Sequence, residues 1–194
     1  MNSKHTSLDA NDAPTSTDGF EVLDECHRLT LVTLGQLGDL ADALTEAGPD
    51  AAMREAAAGI VTFFSTTARQ HHEDEERHVF PKLLGSPDPE VVQTVLRLQQ
   101  DHHWLEQNWL ELGPLLDAVA AGQSWYDLDA LREGVEIFAA LSHDHVALEE
   151  SLIYPQARTA LGSGERREMG REMAARRAVE REANPAPDAS KRRG

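Results

Sequence analysis

Two stretches of this chain decide its fold: His71-His72-Glu73-Asp74-Glu75-Glu76-Arg77-His78-Val79-Phe80-Pro81 and His145-Val146-Ala147-Leu148-Glu149-Glu150-Ser151-Leu152-Ile153-Tyr154-Pro155. Each reads His-x-x-x-Glu-Glu, and in each the first Glu lies six residues before a proline that follows an aromatic residue. At about 3.6 residues per turn, positions i and i+4 lie one above the other on a helix. Both stretches therefore place an imidazole and a carboxylate on one helical face.

That face is otherwise apolar. Upstream of His71 the stripe is Ile60, Phe63, Phe64 and Thr67, with Glu75 continuing it; around His145 it is Phe138, Leu141, Leu148 and Leu152. Two further segments carry a histidine on such a stripe. One runs Phe20, Leu23, His27, Leu31, Leu34, Ala41; the other runs Val95, Leu98, His102, Leu105, Trp109, Leu112. Spacings of three, four and seven are those of helices burying one side.

Punctuation supplies the boundaries. The first helix is predicted from near Asp18 to about Glu46, ended by Gly48-Pro49. The second runs from about Asp50 to Leu84, with Pro81 expected to kink or loosen its last turn. Asp88 reads as an N-cap with Pro89 at the first helical position, opening a third helix to about Ala121 that Gly113-Pro114 could kink. After Gly122-Gln123-Ser124 a fourth helix runs from about Tyr126 to Ala160. Short connections force antiparallel neighbours. The predicted fold is all-α, an antiparallel up-down-up-down four-helix bundle over residues 18–162. Residues 163–194 are expected to form a charged tail, with a short helix at about Glu165–Glu182 and a disordered end from Asn184. Residues 1–17, rich in Ser, Thr, Asn and Asp, read as a disordered arm.

Composition agrees. Of 194 residues, 40% are apolar and 5% aromatic, with Ala, Leu and Glu abundant, a helix-forming mixture. The net charge is −16. Nine Lys/Arg against six Asp/Glu make residues 165–194 +3, so the remainder is −19. So acidic a body disfavours nucleic acid and anionic lipid as partners. No run of about 18 apolar residues is present to span a membrane. The single cysteine, Cys26, excludes an intrachain disulfide and reads as inert core packing. The polar start lacks the apolar stretch of a secretory leader, so a cytoplasmic location is predicted.

Four core faces thus present His27, His71 with Glu75, His102, and His145 with Glu149. Buried carboxylates and imidazoles are costly unless paired, and a metal uses each as a donor. Imidazoles alone suit several transition metals; the carboxylates favour iron, manganese or zinc. Two six-coordinate ions need about twelve donor positions. Four His, two bridging Glu and an oxo or hydroxo bridge supply about ten, leaving about one open position per ion. Glu106, four residues after His102, is the best placed further ligand, with His103 next. His72, one position off the stripe, reads as a ligand-orienting group or a flank. Glu73, Asp74 and Glu76 read as a solvated face. A ferritin-like di-iron bundle needs Glu-x-x-His twice; the chain has it once, at Glu75–His78.

The set Cys26-His27, His71-x-x-x-Glu75 with Val79-Phe80-Pro81, Asp101-His102, and His145-x-x-x-Glu149 with Ile153-Tyr154-Pro155 resembles the hemerythrin-like, or HHE cation-binding, domain family over about residues 18–160. The resemblance implies a four-helix bundle with a non-haem di-iron centre, His27, His71, His102 and His145 as ligands, and Glu75 and Glu149 as bridges. Oxygen-carrying members place a second His four after the third-helix His; here that residue is Glu106, a departure from the stable oxygen carriers. The resemblance extends to the hemerythrin part of the repair-of-iron-centres proteins. The functional expectation is binding or sensing of a small oxidant (O2, peroxide or nitric oxide). The alternatives are a peroxide- or NO-consuming oxidoreductase and an iron storage or delivery protein.

Overall fold

The computed structural model describes residues 18–183, with side chains to residue 180; the predicted N-terminal arm and the end beyond residue 183 lie outside. Among the described residues the chain is helical, with short turns between five helices. Helix α1 is Gly19–Ala43, α2 runs through residues 51–83, α3 is Pro89–Ala120, α4 runs through residues 128–160, and α5 is Ser163–Ala183.

Aspartates set four of the starts. Asp18, Asp50, Asp88 and Asp127 each stand outside the helix in extended backbone and accept hydrogen bonds from N–H groups of the first turn. This satisfies donors that would otherwise be orphaned, worth about 1 kcal/mol each. The fourth helix starts two residues later than its periodicity suggested because Asp127 is the cap. Gly48 and Gly122 take positive φ (84° and 75°) in the turns after α1 and α3, where a side chain would be strained.

Helix α1 packs on α2, α4 and α5, and α3 packs on α2 and α4. The chain is thus a helical bundle, with α5 laid against its α1 side. Buried Met169 and Met173 seat α5 on the apolar cluster of Phe20, Leu23, Phe80 and Leu98. A second apolar cluster, built on Leu37, Ile60, Phe64, Leu116, Leu131 and Phe138, fills the other end. Every one of the first four helices crosses from one cluster to the other, and the polar layer of His27, His71, Glu75, His102, His145 and Glu149 lies between them.

Helices α2 and α4 are interrupted by π turns at Glu75–Val79 and Glu149–Ile153. The N–H of Phe80 bonds the carbonyl of Glu75, and that of Tyr154 bonds that of Glu149. A proline follows each: it donates nothing and its ring crowds the carbonyl four residues back. The ladder re-registers over five residues instead of breaking, so α2 continues past Pro81 to Leu83. Helix α3 continues through Pro114 without a π turn. A third π turn, Phe63–Ala68, begins just after Thr62 and contains Thr66, whose hydroxyls bond the carbonyls of Ala58 and Thr62 respectively.

One stripe position is corrected. Leu31 is 39% exposed, and the buried residues of that turn are Thr30 and Thr33. Thr33 is accommodated because its hydroxyl donates to the Leu29 carbonyl.

Candidate metal centre

The six residues predicted as ligands converge. His27, His71, Glu75 and Glu149 each offer a donor atom within 4.8 Å of the others, and so do Glu75, His102, His145 and Glu149. The two groups share both carboxylates. Glu75 turns Oε1 to His71 Nε2 (3.4 Å) and Oε2 to His102 Nε2 (3.4 Å). Glu149 turns Oε2 to His27 Nε2 (3.1 Å) and Oε1 to His145 Nε2 (3.2 Å). Each carboxylate therefore gives one oxygen to each group, as a carboxylate bridging two cations would.

The donors fit metal binding on a second count. Buried polar atoms in native proteins are nearly always hydrogen-bonded. Here both ring nitrogens of His71 and His145, His102 Nε2, Glu75 Oε2 and Glu149 Oε1 are buried without a hydrogen-bond partner, clustered in this layer. Two shared carboxylates and four imidazoles suit two divalent or trivalent cations of the iron, manganese or zinc kind.

The second Glu of each His-x-x-x-Glu-Glu also has a partner across the bundle. Glu76 Oε1 accepts from His102 Nδ1 (2.9 Å), and Glu150 Oε1 from His27 Nδ1 (3.3 Å). Each carboxylate fixes a tautomer that turns Nε2 toward the shared pair. The aromatic residues that follow repeat the symmetry: Tyr154 stacks on His27 (5.0 Å between centroids) and Phe80 on His102 (5.4 Å). The symmetry breaks at the phenol. Tyr154 donates to Glu75 Oε1 at 2.5 Å and lies 3.2 Å from His27 Nε2; Phe80 has no such group.

Glu76, Glu150 and Tyr154 are participants that stripe counting passes over. The duplication itself carried the signal, because both copies hold the second Glu. Asp74, expected on a solvated face, is fully buried and held by Arg176 and, at 2.6 Å, by Arg177 of α5. Asp74 also forms a possible donor group with His78 and Glu172, but its oxygens are occupied by the two guanidinium groups and His78 bonds Glu172 at 2.8 Å.

Of the three supplementary candidates, His72 joins the layer. It is half-buried, its ring stacks on His102 (4.1 Å), and one of its nitrogens groups with donors of His102 and His145. His103 and Glu106 are exposed, outside these groups, on the wall of a cavity of about 530 Å³. That cavity opens between α2 and α3 and reaches the rings of His27, His71, His72, His102 and His145.

The electrostatics are those of a desolvated site. Burial drives the His71 ring down to about 3, so it stays neutral. Burial also opposes charge on His102, yet the Glu75 carboxylate at 3.4 Å and the hydrogen bond to Glu76 outweigh it and lift that ring to about 9. For Glu149 burial opposes ionisation, but His145 and His27 hold the carboxyl below its usual range. Cys26 lies beside this layer with its thiol pushed up to about 12 by burial and the Glu75 charge, the state of an unreactive core cysteine.

No described helix is long and apolar enough to cross a membrane. An uncharacterised protein of Haemophilus influenzae is 31% identical over 172 residues, covering 89% of this chain and 97% of the relative. Residues 18–157, the segment that carries every converging donor, match the hemerythrin HHE cation binding domain, and the chain belongs to that family.

Proposed function

We propose that this chain is a non-haem di-iron protein that binds or senses a small oxidant, O2, peroxide or nitric oxide, in an antiparallel up-down-up-down four-helix bundle. The observation that carries the reading is the sharing of Glu75 and Glu149, one oxygen of each to either imidazole pair. His27 and His71 would hold one ion and His102 and His145 the other, with both carboxylates spanning them. Bound iron would supply reversible one-electron changes and an exchangeable position for a small ligand.

The chain's own residues do the rest. Glu76 and Glu150 hold the outer nitrogens of His102 and His27, which orients both rings. The Tyr154 hydroxyl donates to Glu75 and withdraws charge from that carboxylate on one side only. Phe20, Phe80 and Leu98 close the layer from one end, and the cavity admits a ligand from the side, between α2 and α3. The ring of neighbouring helices and the short turns support the antiparallel arrangement.

Elemental analysis of protein expressed with iron and purified without chelator tests this, with a visible spectrum on the same sample. About two irons per chain and near-ultraviolet absorption that bleaches on reduction are expected from the donor count. Absence of iron, or a single zinc, overturns the redox function. Catalytic loss of peroxide would make the protein an oxidoreductase, and iron well above two per chain would make it a store.

A further inference from the structure

The cavity at the centre is far larger than a diatomic ligand or peroxide needs. Its volume is about 530 Å³. A water molecule takes about 30 Å³ in the liquid, and pockets for organic ligands run about 300–1,000 Å³. Its walls are mostly carbon: Val61, Phe64 and Ala68 from α2, Leu105 and Trp109 from α3, and Phe138 from α4. Three of the polar side chains along the walls are already engaged. The Trp109 indole N–H donates to the Ser65 hydroxyl, and the Ser142 hydroxyl donates to the Phe138 carbonyl. Unpartnered polar atoms gather at the inner end, on the buried rings of His71, His102 and His145. The outer part carries the exposed carboxylates of Glu73, Glu76, Glu106 and Asp117; Arg69 and Arg176 both face Glu73, each at 3.7 Å, and leave the other three in excess.

This combination selects a ligand. The apolar walls take an apolar body. The acidic mouth, on a chain of net charge −16, repels an anion. The imidazole floor takes one polar terminus. We propose that the cavity binds a neutral organic molecule, about one substituted ring in size, that ends in a single hydroxyl or hydroperoxyl group turned toward the histidines. The assignment deepens the small-oxidant reading of the same centre and rests on it for the role of that terminus, but not for the binding of the body.

The test is calorimetric titration of the full chain, as purified and after chelation, with cumyl alcohol as the neutral probe and 4-phenylbutyrate as an anion of similar size. Ligand-observed saturation-transfer NMR on the chelated sample gives a second readout. Saturable one-to-one binding of the alcohol in either sample is expected, with the anion at least about tenfold weaker. Ala68→Leu, which puts carbon into the cavity, should weaken the alcohol at least about tenfold; Val61→Trp nearer the mouth serves the same purpose should Ala68→Leu lose its helical circular dichroism. No saturable binding of the alcohol in either sample overturns the proposal. So does binding that both folded variants leave unchanged, or equal binding of the anion. Metal content on the same samples separates the two readings: metal without alcohol binding refutes the ligand class, and alcohol binding without metal refutes the metal centre.

Discussion

Replacing Glu76 by Gln should weaken metal binding without removing any donor from the centre. The Glu76 carboxylate accepts from His102 Nδ1 at 2.9 Å. An amide of the same size can still accept that bond but carries no charge, so the imidazole becomes a poorer donor and its ring is held less firmly. Losses of metal affinity at such outer partners are typically 10–100-fold. The Glu76 side chain is 46% exposed, so solvent screens part of its effect and the low end applies: about tenfold, or about 1.4 kcal/mol. Glu150→Gln should cost less, since its contact with His27 is longer, at 3.3 Å. Glu73→Gln is the control, because Glu73 meets Arg69 and Arg176 at 3.7 Å and no histidine of the layer. The assay is competition for Co²⁺ or Fe²⁺ against a chromophoric chelator at fixed pH, with both binding steps resolved. One step should weaken in Glu76→Gln and the other in Glu150→Gln, and the double variant should show both losses. If Glu76→Gln binds both ions as tightly as Glu73→Gln, the carboxylate does not govern His102 and the pairing argument fails.

Glu149→Ala removes an oxygen from both donor groups and should leave the purified protein with less than one ion per chain; retention of two would refute the bridging assignment. Tyr154→Phe keeps the stack on His27 but takes the hydroxyl from Glu75, leaving that carboxylate more electron-donating, so the midpoint potential of the iron-loaded protein should fall in a redox titration. Asp74→Asn should destabilise by roughly 1–3 kcal/mol in urea unfolding and raise hydrogen exchange across α5, because Arg176 and Arg177 lose a buried counter-charge but keep partial access to water. In metal-free protein, His102 titrates at about 9 folded against about 6.5 unfolded. Its contribution is therefore full below about pH 6.5 and is lost as pH rises through 9, so the urea midpoint should drop over that window. Glu76→Gln should flatten the drop.

Much of the bundle was legible because its signals are local. Asp18, Asp50 and Asp88 sit where side-chain oxygens can cap the helices that follow, and His71/Glu75 and His145/Glu149 share faces by the i,i+4 rule alone. What was hidden depends on partners far along the chain. Asp74 looks like a surface residue until α5 brings two arginines to it from a hundred residues away. Glu76 looks solvated until His102 arrives from α3. Thr30 and Leu31 differ by one position, and a helical wheel does not show which side of the stripe the neighbouring helix covers. Tyr154 is the clearest case. Five residues of ideal α-helix turn through about 500°, which would leave Tyr154 about 140° away from the face of Glu149. The π turn absorbs most of that difference, and the phenol meets His27.

Those two turns have a consequence for how the protein tolerates change in length. A π turn is an α-helix that has accommodated one residue more than its ladder needs. Deleting a single residue between Glu75 and Phe80, or between Glu149 and Tyr154, would leave every donor of the centre still in the chain. It would also swing everything beyond by about 100°, carrying the aromatic ring off its histidine and turning Leu83 or Ala157 out of the apolar cluster it fills. Here the irregular backbone is the part of the fold that keeps the two halves in phase.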